Sequence, residues 1–130
     1  MSRIAVIEDE PTDFSAIARV LGSNHQIVNW ATGGEALDAF EQDSGEPVRV
    51  IIVDLGLPDM HGSEVIRRIR ALPRGTHPAI FALTSSSDPS DRDRVDAAGA
   101  DDYFVKPGTI AGLRGIAAQI ADISGITLDR

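Results

Sequence analysis

Three short runs in this sequence are almost continuously apolar, and they constrain the fold more than any other feature. They are IAVI at 4–7, VIIV at 50–53 and AIFAL at 79–83. Strands buried on one face alternate apolar and polar residues, whereas strands covered by helices on both faces are apolar throughout. The runs therefore indicate a parallel sheet enclosed between two layers of helices.

Five strands and five helices alternate along the predicted chain. The strands are predicted at 3–7, 26–29, 48–53, 79–83 and 101–105. Each is followed by a helical pattern, which in one case opens with a capping box formed by Thr32 and Glu35. Right-handed crossovers turn this (βα)5 pattern into an open, doubly wound, five-stranded parallel sheet of the α/β class. The fourth helix offers mainly Val95, Ala97 and Ala98 for burial, so we expect it to be weakly anchored and able to move.

Composition and charge exclude several classes of function. The 130 residues suffice for one domain, and the net charge of −8 disfavours direct binding of nucleic acid. The chain has no cysteine, which excludes disulfides, thiolate catalysis and iron–sulfur clusters. Its apolar runs are too short to span a membrane and its N-terminus lacks a signal-peptide pattern, so we expect a cytoplasmic protein.

Polar residues follow four of the predicted strands, at the edge where doubly wound sheets bind ligands. Glu8 and Asp9 follow the first strand, Asp54 the third, Thr84 the fourth and Lys106 the fifth. We expect them to converge on one small cleft. Grouped carboxylates repel one another unless a cation binds, and Mg²⁺ prefers oxygen ligands of this kind. With a hydroxyl and an ammonium group beside them, the cleft suits transfer of a phosphoryl group onto an aspartate.

Each of these residues also has a simpler interpretation when it is taken alone. A carboxylate at a strand end is usually solvated, a Lys-Pro pair usually forms a turn, and a threonine there usually caps a helix. Their occurrence together on one predicted edge of the sheet favours a shared site.

Four motifs make the sequence resemble the receiver domain of two-component response regulators, from Ile4 to about Ile120. They are IAVIEDE at 4–10, VIIVDLGLPDMHGSEVIRRIR at 50–70, ALTSSS at 82–87 and GADDYFVKP at 99–107. The resemblance implies the flavodoxin-like receiver fold with strand order 2-1-3-4-5. It also implies a regulator of the single-domain type, with a receiver at 1–122, a short tail at 123–130 and no output domain. The sequence of the tail is equally consistent with a natural end and with the start of a linker.

The same resemblance assigns metal and acceptor roles to the cleft. Asp54 is expected to be the phosphoacceptor. Mg²⁺ is the expected cofactor, bound by Asp9, Asp54 and the backbone carbonyl of Gly56. Glu8 is expected to act near the ion or through a water molecule.

The resemblance also implies a switch. Thr84 and Lys106 are expected to contact the phosphoryl oxygens, and Tyr103 to swing inward behind Thr84. The face made by the fourth helix, fifth strand and fifth helix would thereby be remodelled. Three further residues match turns of the family: Pro58, Gly62 and Pro107, the last of which typically follows a cis peptide bond.

Histidines and the C-terminal tail have plainer interpretations. His61 is expected to be a solvated loop residue rather than a metal ligand, because Mg²⁺ prefers oxygen. His25 flanks a strand and needs no functional role. Beyond the predicted last helix, Ile123, Ile126 and Leu128 are expected either to dock on a partner or to fray.

A receiver of this kind implies a signalling protein that is not an enzyme, beyond catalysing its own phosphorylation and dephosphorylation. The expected phosphoryl donor is a sensor histidine kinase, and the TSSS stretch faintly resembles regulators paired with phytochrome-type kinases. A histidine phosphotransfer protein and a downstream protein target are the other expected partners. A homodimer formed through the remodelled face is a further alternative.

Three alternative functions use a similar sheet. A pseudo-receiver would bind partners without phosphate, although nothing in folding requires Asp9, Asp54, Thr84 and Lys106 together. A flavodoxin-like enzyme fits poorly, because the acids at 8–10 would repel a flavin phosphate. A phosphatase of the dehalogenase type would need a second aspartate at position 56, which is glycine.

Overall fold

The computed structural model describes residues 2–42, 47–73 and 77–128. Strands and helices alternate along the whole of the described chain, as the apolar runs predict. In order they are β1 (Arg3–Ile7), α1 (Pro11–Leu21), β2 (Gln26–Trp30), α2 (Gly33–Glu41), β3 (Val48–Val53), α3 (Gly62–Ala71), β4 (Ala79–Thr84), α4 (Pro89–Ala98), β5 (Asp102–Val105) and α5 (Ile110–Ser124). The predicted strand ends differ from these by one residue in β2, β4 and β5.

The five strands form one parallel sheet in the order β2-β1-β3-β4-β5, which confirms the predicted fold. Ile7 is in register with Val53, and Thr84 with Val105. The residues that follow β1, β3, β4 and β5 therefore leave the sheet at one edge. This register brings the acidic and basic residues of the predicted cleft together.

Alternate residues of the central strands face two separate apolar layers. On one face Ala5, Ile51 and Ile80 pack under α2, α3 and α4. On the other face their neighbours Ile4 and Val50 pack under α1 and α5. Both faces are buried, which is why these strands are apolar without alternation.

Side chains cap the starts of α2, α3 and α4, and the cap of α2 is the predicted one. The Thr32 hydroxyl accepts a hydrogen bond from the Glu35 amide at 3.0 Å, at the start of α2. Asp88 caps α4, where Val95 is the one buried residue. Helix α3 begins at Gly62, and His61 is its cap.

The C-terminal segment is packed more firmly than expected. Helix α5 continues to Ser124, and Ile126 is buried against the layer formed with α1 and α5. His25 is buried as well, and its Nε2 lies 2.5 Å from the carbonyl oxygen of Thr127. Fraying or docking on a partner is therefore wrong for Ile126, although Ile123 is half exposed. Residues 129–130 of the tail lie outside the described residues.

Two expectations about the chain as a whole have clear outcomes. The described residues contain no cis peptide bond, so the cis bond expected before Pro107 is not found. In the described part of the chain, none of the helices has both the length and the apolar character needed to cross a membrane.

Candidate functional site

Three carboxylates meet at the carboxyl edge of the sheet. Glu8 and Asp9 lie directly after β1, and Asp54 directly after β3. One oxygen from each lies within 4.8 Å of the others. Glu8 is buried, Asp54 is partly buried and Asp9 is exposed, so the group spans the depth of the cleft. Such hard oxygen donors at close range fit a divalent cation of the Mg²⁺ class.

Lys106 supplies the balancing charge from the end of β5. Its Nζ lies 2.6 Å from Glu8 Oε1 and 3.4 Å from Asp54 Oδ2. A third partner, Asp13 Oδ2, lies 2.8 Å away in the first turn of α1. Asp13 was not among the predicted site residues, because it lies in a helix and not at the end of a strand. The signal that would reveal it is its place in the helix turn above the same edge.

Burial, hydrogen bonds and neighbouring charges in the cleft shift two pKa values. Burial raises the pKa of Glu8 to about 7; the nearby Asp54 charge adds to the rise, and the hydrogen bond from Lys106 opposes it. Burial disfavours the charge of Lys106, but hydrogen bonds to Asp13 and Glu8 raise its pKa above the ordinary value. Lys106 therefore stays cationic at neutral pH, while Glu8 titrates near neutrality.

The loop after Asp54 turns sharply, and Gly62 is required for the turn. A Cβ on Gly62 would lie 2.4 Å from the carbonyl oxygen of Asp54 and 2.8 Å from Leu55 Cα. The Gly62 amide donates instead to the Leu55 carbonyl oxygen at 3.0 Å. Gly56 pairs with His61 across the loop in a short antiparallel bridge, and Pro58 is exposed at its tip. We name this segment, 54–62, the acceptor loop.

Thr84 and Tyr103 meet at the loop between β4 and α4. The Thr84 side chain is buried, and its hydroxyl accepts a hydrogen bond from the Ser86 amide at 3.3 Å. The Tyr103 hydroxyl donates to the carbonyl oxygen of Ser86, and the Arg92 guanidinium lies 5.6 Å from the Tyr103 ring centre. Ser86 thus joins the two residues of the predicted switch. Ser86 was not among the predicted site residues, because its contacts depend on the folded loop.

A family profile described as the response regulator receiver domain matches residues 4–118. The chain belongs to the response regulator receiver family. KdpE, a transcriptional regulatory protein of Mycobacterium tuberculosis, is 38% identical over 108 residues, which are 82% of this chain and 45% of that protein. The chain therefore spans under half the length of this relative.

Solved receivers have the same fold. The phosphorylated cyanobacterial phytochrome response regulator RcpA superposes with a TM-score of 0.86 at 25% identity, over 99% of both chains. The receiver domain of the sensor histidine kinase PA1611 from Pseudomonas aeruginosa is 30% identical, with a TM-score of 0.73. That match covers 93% of this chain and 98% of the PA1611 receiver, whose structure holds a magnesium ion in its active-site cleft.

His61 departs from the solvated loop residue expected for this receiver. Its Nδ1 accepts a hydrogen bond from the Ser63 amide at 3.1 Å and thereby caps α3. Its Nε2 lies 3.1 Å from Asp91 Oδ1 on α4. Histidine is not a common cap, and Asp91 is 30 residues away, so no local pattern predicts either contact.

Asp59 fastens the acceptor loop of this receiver to α2. Its two carboxylate oxygens accept hydrogen bonds from the amides of Gly33 and Gly34, at 2.9 and 2.8 Å. Those two hydrogen bonds hold the pKa of Asp59 below its ordinary value. Asp59 was not among the predicted site residues. The contact satisfies two amides that the first turn of a helix leaves without partners.

We expect Asp59→Ala to lower the free energy of unfolding by about 1 kcal/mol, as the loss of a helix cap does. Urea denaturation followed by circular dichroism measures the change. Asp38→Ala is the matched control, since Asp38 is an exposed residue of α2, the helix that Asp59 contacts. Equal unfolding midpoints for the two variants would contradict a structural role for Asp59.

Proposed function

We propose that this receiver accepts a phosphoryl group on Asp54 from the phosphohistidine of a sensor histidine kinase, with Mg²⁺ bound beside it. The observation that carries the proposal is the position of Asp54, whose carboxylate lies among Glu8, Asp9 and Lys106. Membership in the receiver family supports the same chemistry. The individual roles proposed for these residues are those that the resemblance to the receiver family implies.

In the proposed reaction, an Asp54 oxygen attacks phosphorus, and the bond from phosphorus to the histidine nitrogen breaks. Asp9, Asp54 and the Gly56 carbonyl would hold Mg²⁺, with Glu8 acting through water. The bound ion would neutralise carboxylates that otherwise repel the incoming anion. Lys106 would exchange a carboxylate partner for a phosphoryl oxygen, so charge near the acceptor stays balanced.

The proposed output begins at Thr84. Its hydroxyl would leave the Ser86 amide to contact a phosphoryl oxygen on Asp54, and Tyr103 would follow through the shared loop. The affected face comprises α4, β5 and α5, where Val105 is 44% exposed. An exposed apolar residue on a polar face suits contact with a protein partner.

The proposed partners are a downstream protein target and a histidine kinase or histidine phosphotransfer protein, all in the cytoplasm. The likeness to the phytochrome response regulator RcpA supports a phytochrome-type kinase as one candidate donor. A homodimer through the α4, β5 and α5 face is a further proposal. The division into a receiver at 1–122 and a tail at 123–130 stays a prediction.

Intact-protein mass after incubation with acetyl phosphate tests this function. With Mg²⁺ we expect the added mass of one phosphoryl group, and with excess EDTA we expect none, since the carboxylates then repel the phosphoryl anion. Beryllofluoride titration in the same buffers is the companion measurement, because it detects a site whose adduct hydrolyses rapidly. No adduct and no beryllofluoride response would contradict the proposal and favour a phosphate-independent pseudo-receiver.

A further inference from the structure

Both ring nitrogens of His61 form hydrogen bonds, and their partners determine which nitrogen donates and which accepts. Nδ1 accepts from the Ser63 amide at 3.1 Å and lies 2.6 Å from the Ser63 hydroxyl. An amide can only donate, so Nδ1 is the unprotonated nitrogen and Nε2 carries the hydrogen. Nε2 therefore donates to Asp91 Oδ1 at 3.1 Å. The ring joins the start of α3 to the first turn of α4.

Asp91 carries the contact onward into the loop after β4. Its second oxygen accepts a hydrogen bond from the Ser86 hydroxyl at 2.6 Å. That hydrogen bond, and after it the one from His61, lower the pKa of Asp91, so the carboxylate is charged. Arg94 lies farther away, at 3.8 Å, and its side chain is 55% exposed. Ser86 in turn holds the Thr84 hydroxyl and the Tyr103 hydroxyl through its own backbone.

On the side of His61 away from Asp91, these contacts extend to the acceptor loop. His61 forms the bridge with Gly56, two residues beyond Asp54. The next residue, Gly62, packs directly on the backbone of Asp54 and Leu55. Movement of the backbone at 54–56 therefore displaces His61 as well. One set of hydrogen bonds runs from the acceptor loop through α4 to Thr84.

We propose that His61 is a positioning residue that couples the acceptor loop to α4 through Asp91. The inference rests on the proposed phosphorylation of Asp54. Helix α4 buries only Val95, so few apolar contacts compete with this polar link in setting its position. In the described structure the link holds Ser86 where its amide binds the Thr84 hydroxyl. A phosphoryl group that draws Thr84 toward Asp54 must break that arrangement.

His61→Asn tests the coupling with little effect on α3. Asparagine is among the best helix caps, but it is too short to reach Asp91. We expect the variant to bind beryllofluoride, with Mg²⁺, roughly threefold to tenfold more tightly, because Thr84 is released more easily. The shift of α4 amide resonances during the titration gives Kd. His77→Asn, the same change at an exposed histidine, should match the unmodified chain.

A double substitution separates coupling through Asp91 from any other effect. If His61 acts through Asp91, His61→Asn should add no further change in Kd to Asp91→Ala. Independent, additive changes would overturn the proposal, as would a Kd for His61→Asn equal to that of His77→Asn. An unmodified chain that fails to bind beryllofluoride would instead refute the proposed function itself.

Hydrogen exchange without any phosphoryl analogue tests the link on its own. We expect His61→Asn to raise the exchange rate of amides in the first two turns of α4 severalfold, relative to His77→Asn. Exchange in α3 should remain unchanged, because the asparagine that replaces His61 still caps that helix. Unaltered exchange in α4 would overturn the link between the two helices, whatever the outcome with beryllofluoride.

Discussion

Asp54→Asn is expected to form no phosphoryl adduct with acetyl phosphate and Mg²⁺, under conditions in which we expect the unmodified receiver to form one. Asparagine preserves the size of the side chain but supplies no carboxylate nucleophile. It also leaves two carboxylates, Glu8 and Asp9, where three lay within 4.8 Å. Loss of the adduct should therefore be complete rather than partial. Intact-protein mass spectrometry over a time course measures it.

The fold should survive this substitution. Asp54 is the most distant of the three partners of Lys106, at 3.4 Å, and its removal relieves repulsion with Glu8. We expect an unfolding midpoint no lower than that of the unmodified chain. Asp38→Asn, at an exposed site on α2, is the control and should label normally. An adduct on Asp54→Asn, or loss of its fold, would contradict the assignment of Asp54.

The sheet was predictable because its signal is local. Val50 and Ile51 pack against opposite helix layers. Burial on both faces therefore requires consecutive residues to be apolar, and this run is visible in the sequence. Parallel order then brings Glu8, Asp54 and Lys106 to one edge without any further information. Their proximity follows from topology and register alone, which is why it could be predicted before any side chain was placed.

Contacts between distant side chains could not be predicted in the same way. Lys106 binds Asp13 across 93 residues, and His61 binds Asp91 across 30. Such pairs depend on how helices pack above the sheet, and helix periodicity gives only the buried face. The prediction for Ile126 in the tail was wrong for a related reason. Its burial depends on the apolar layer beneath α5, which the local sequence does not show.

Lys106→Met should destabilise the receiver by about 3 kcal/mol at pH 8, because it leaves the buried carboxylate of Glu8 and the partly buried one of Asp54 without their cation. Methionine keeps most of the apolar stem but has no charge. The Glu8 side chain is only 1% exposed, so water cannot replace the lost ion pair. Denaturant unfolding measures the loss. Arg114→Met, on the exposed surface of α5, removes a charge of the same sign and should change stability little.

The pH dependence of this loss distinguishes charge from packing. Folding raises the pKa of Glu8 from 4.5 to about 7, so the native state binds more protons than the unfolded state within that window. Stability from this group is present below pH 4.5 and falls as pH rises through 7. Without Lys106, which opposes the shift, the pKa rises further and the fall extends to higher pH. The deficit of Lys106→Met should therefore shrink as the pH is lowered toward about 5.

Added Mg²⁺ should reduce the stability deficit of Lys106→Met, as a lower pH does. A cation bound by the carboxylates stabilises the folded state by mass action, and it relieves more repulsion where Lys106 is missing. We therefore expect Mg²⁺ to raise the unfolding midpoint of Lys106→Met more than that of the unmodified chain. A deficit independent of both pH and Mg²⁺ would mean that Lys106 stabilises the cleft through its aliphatic stem and not through its charge.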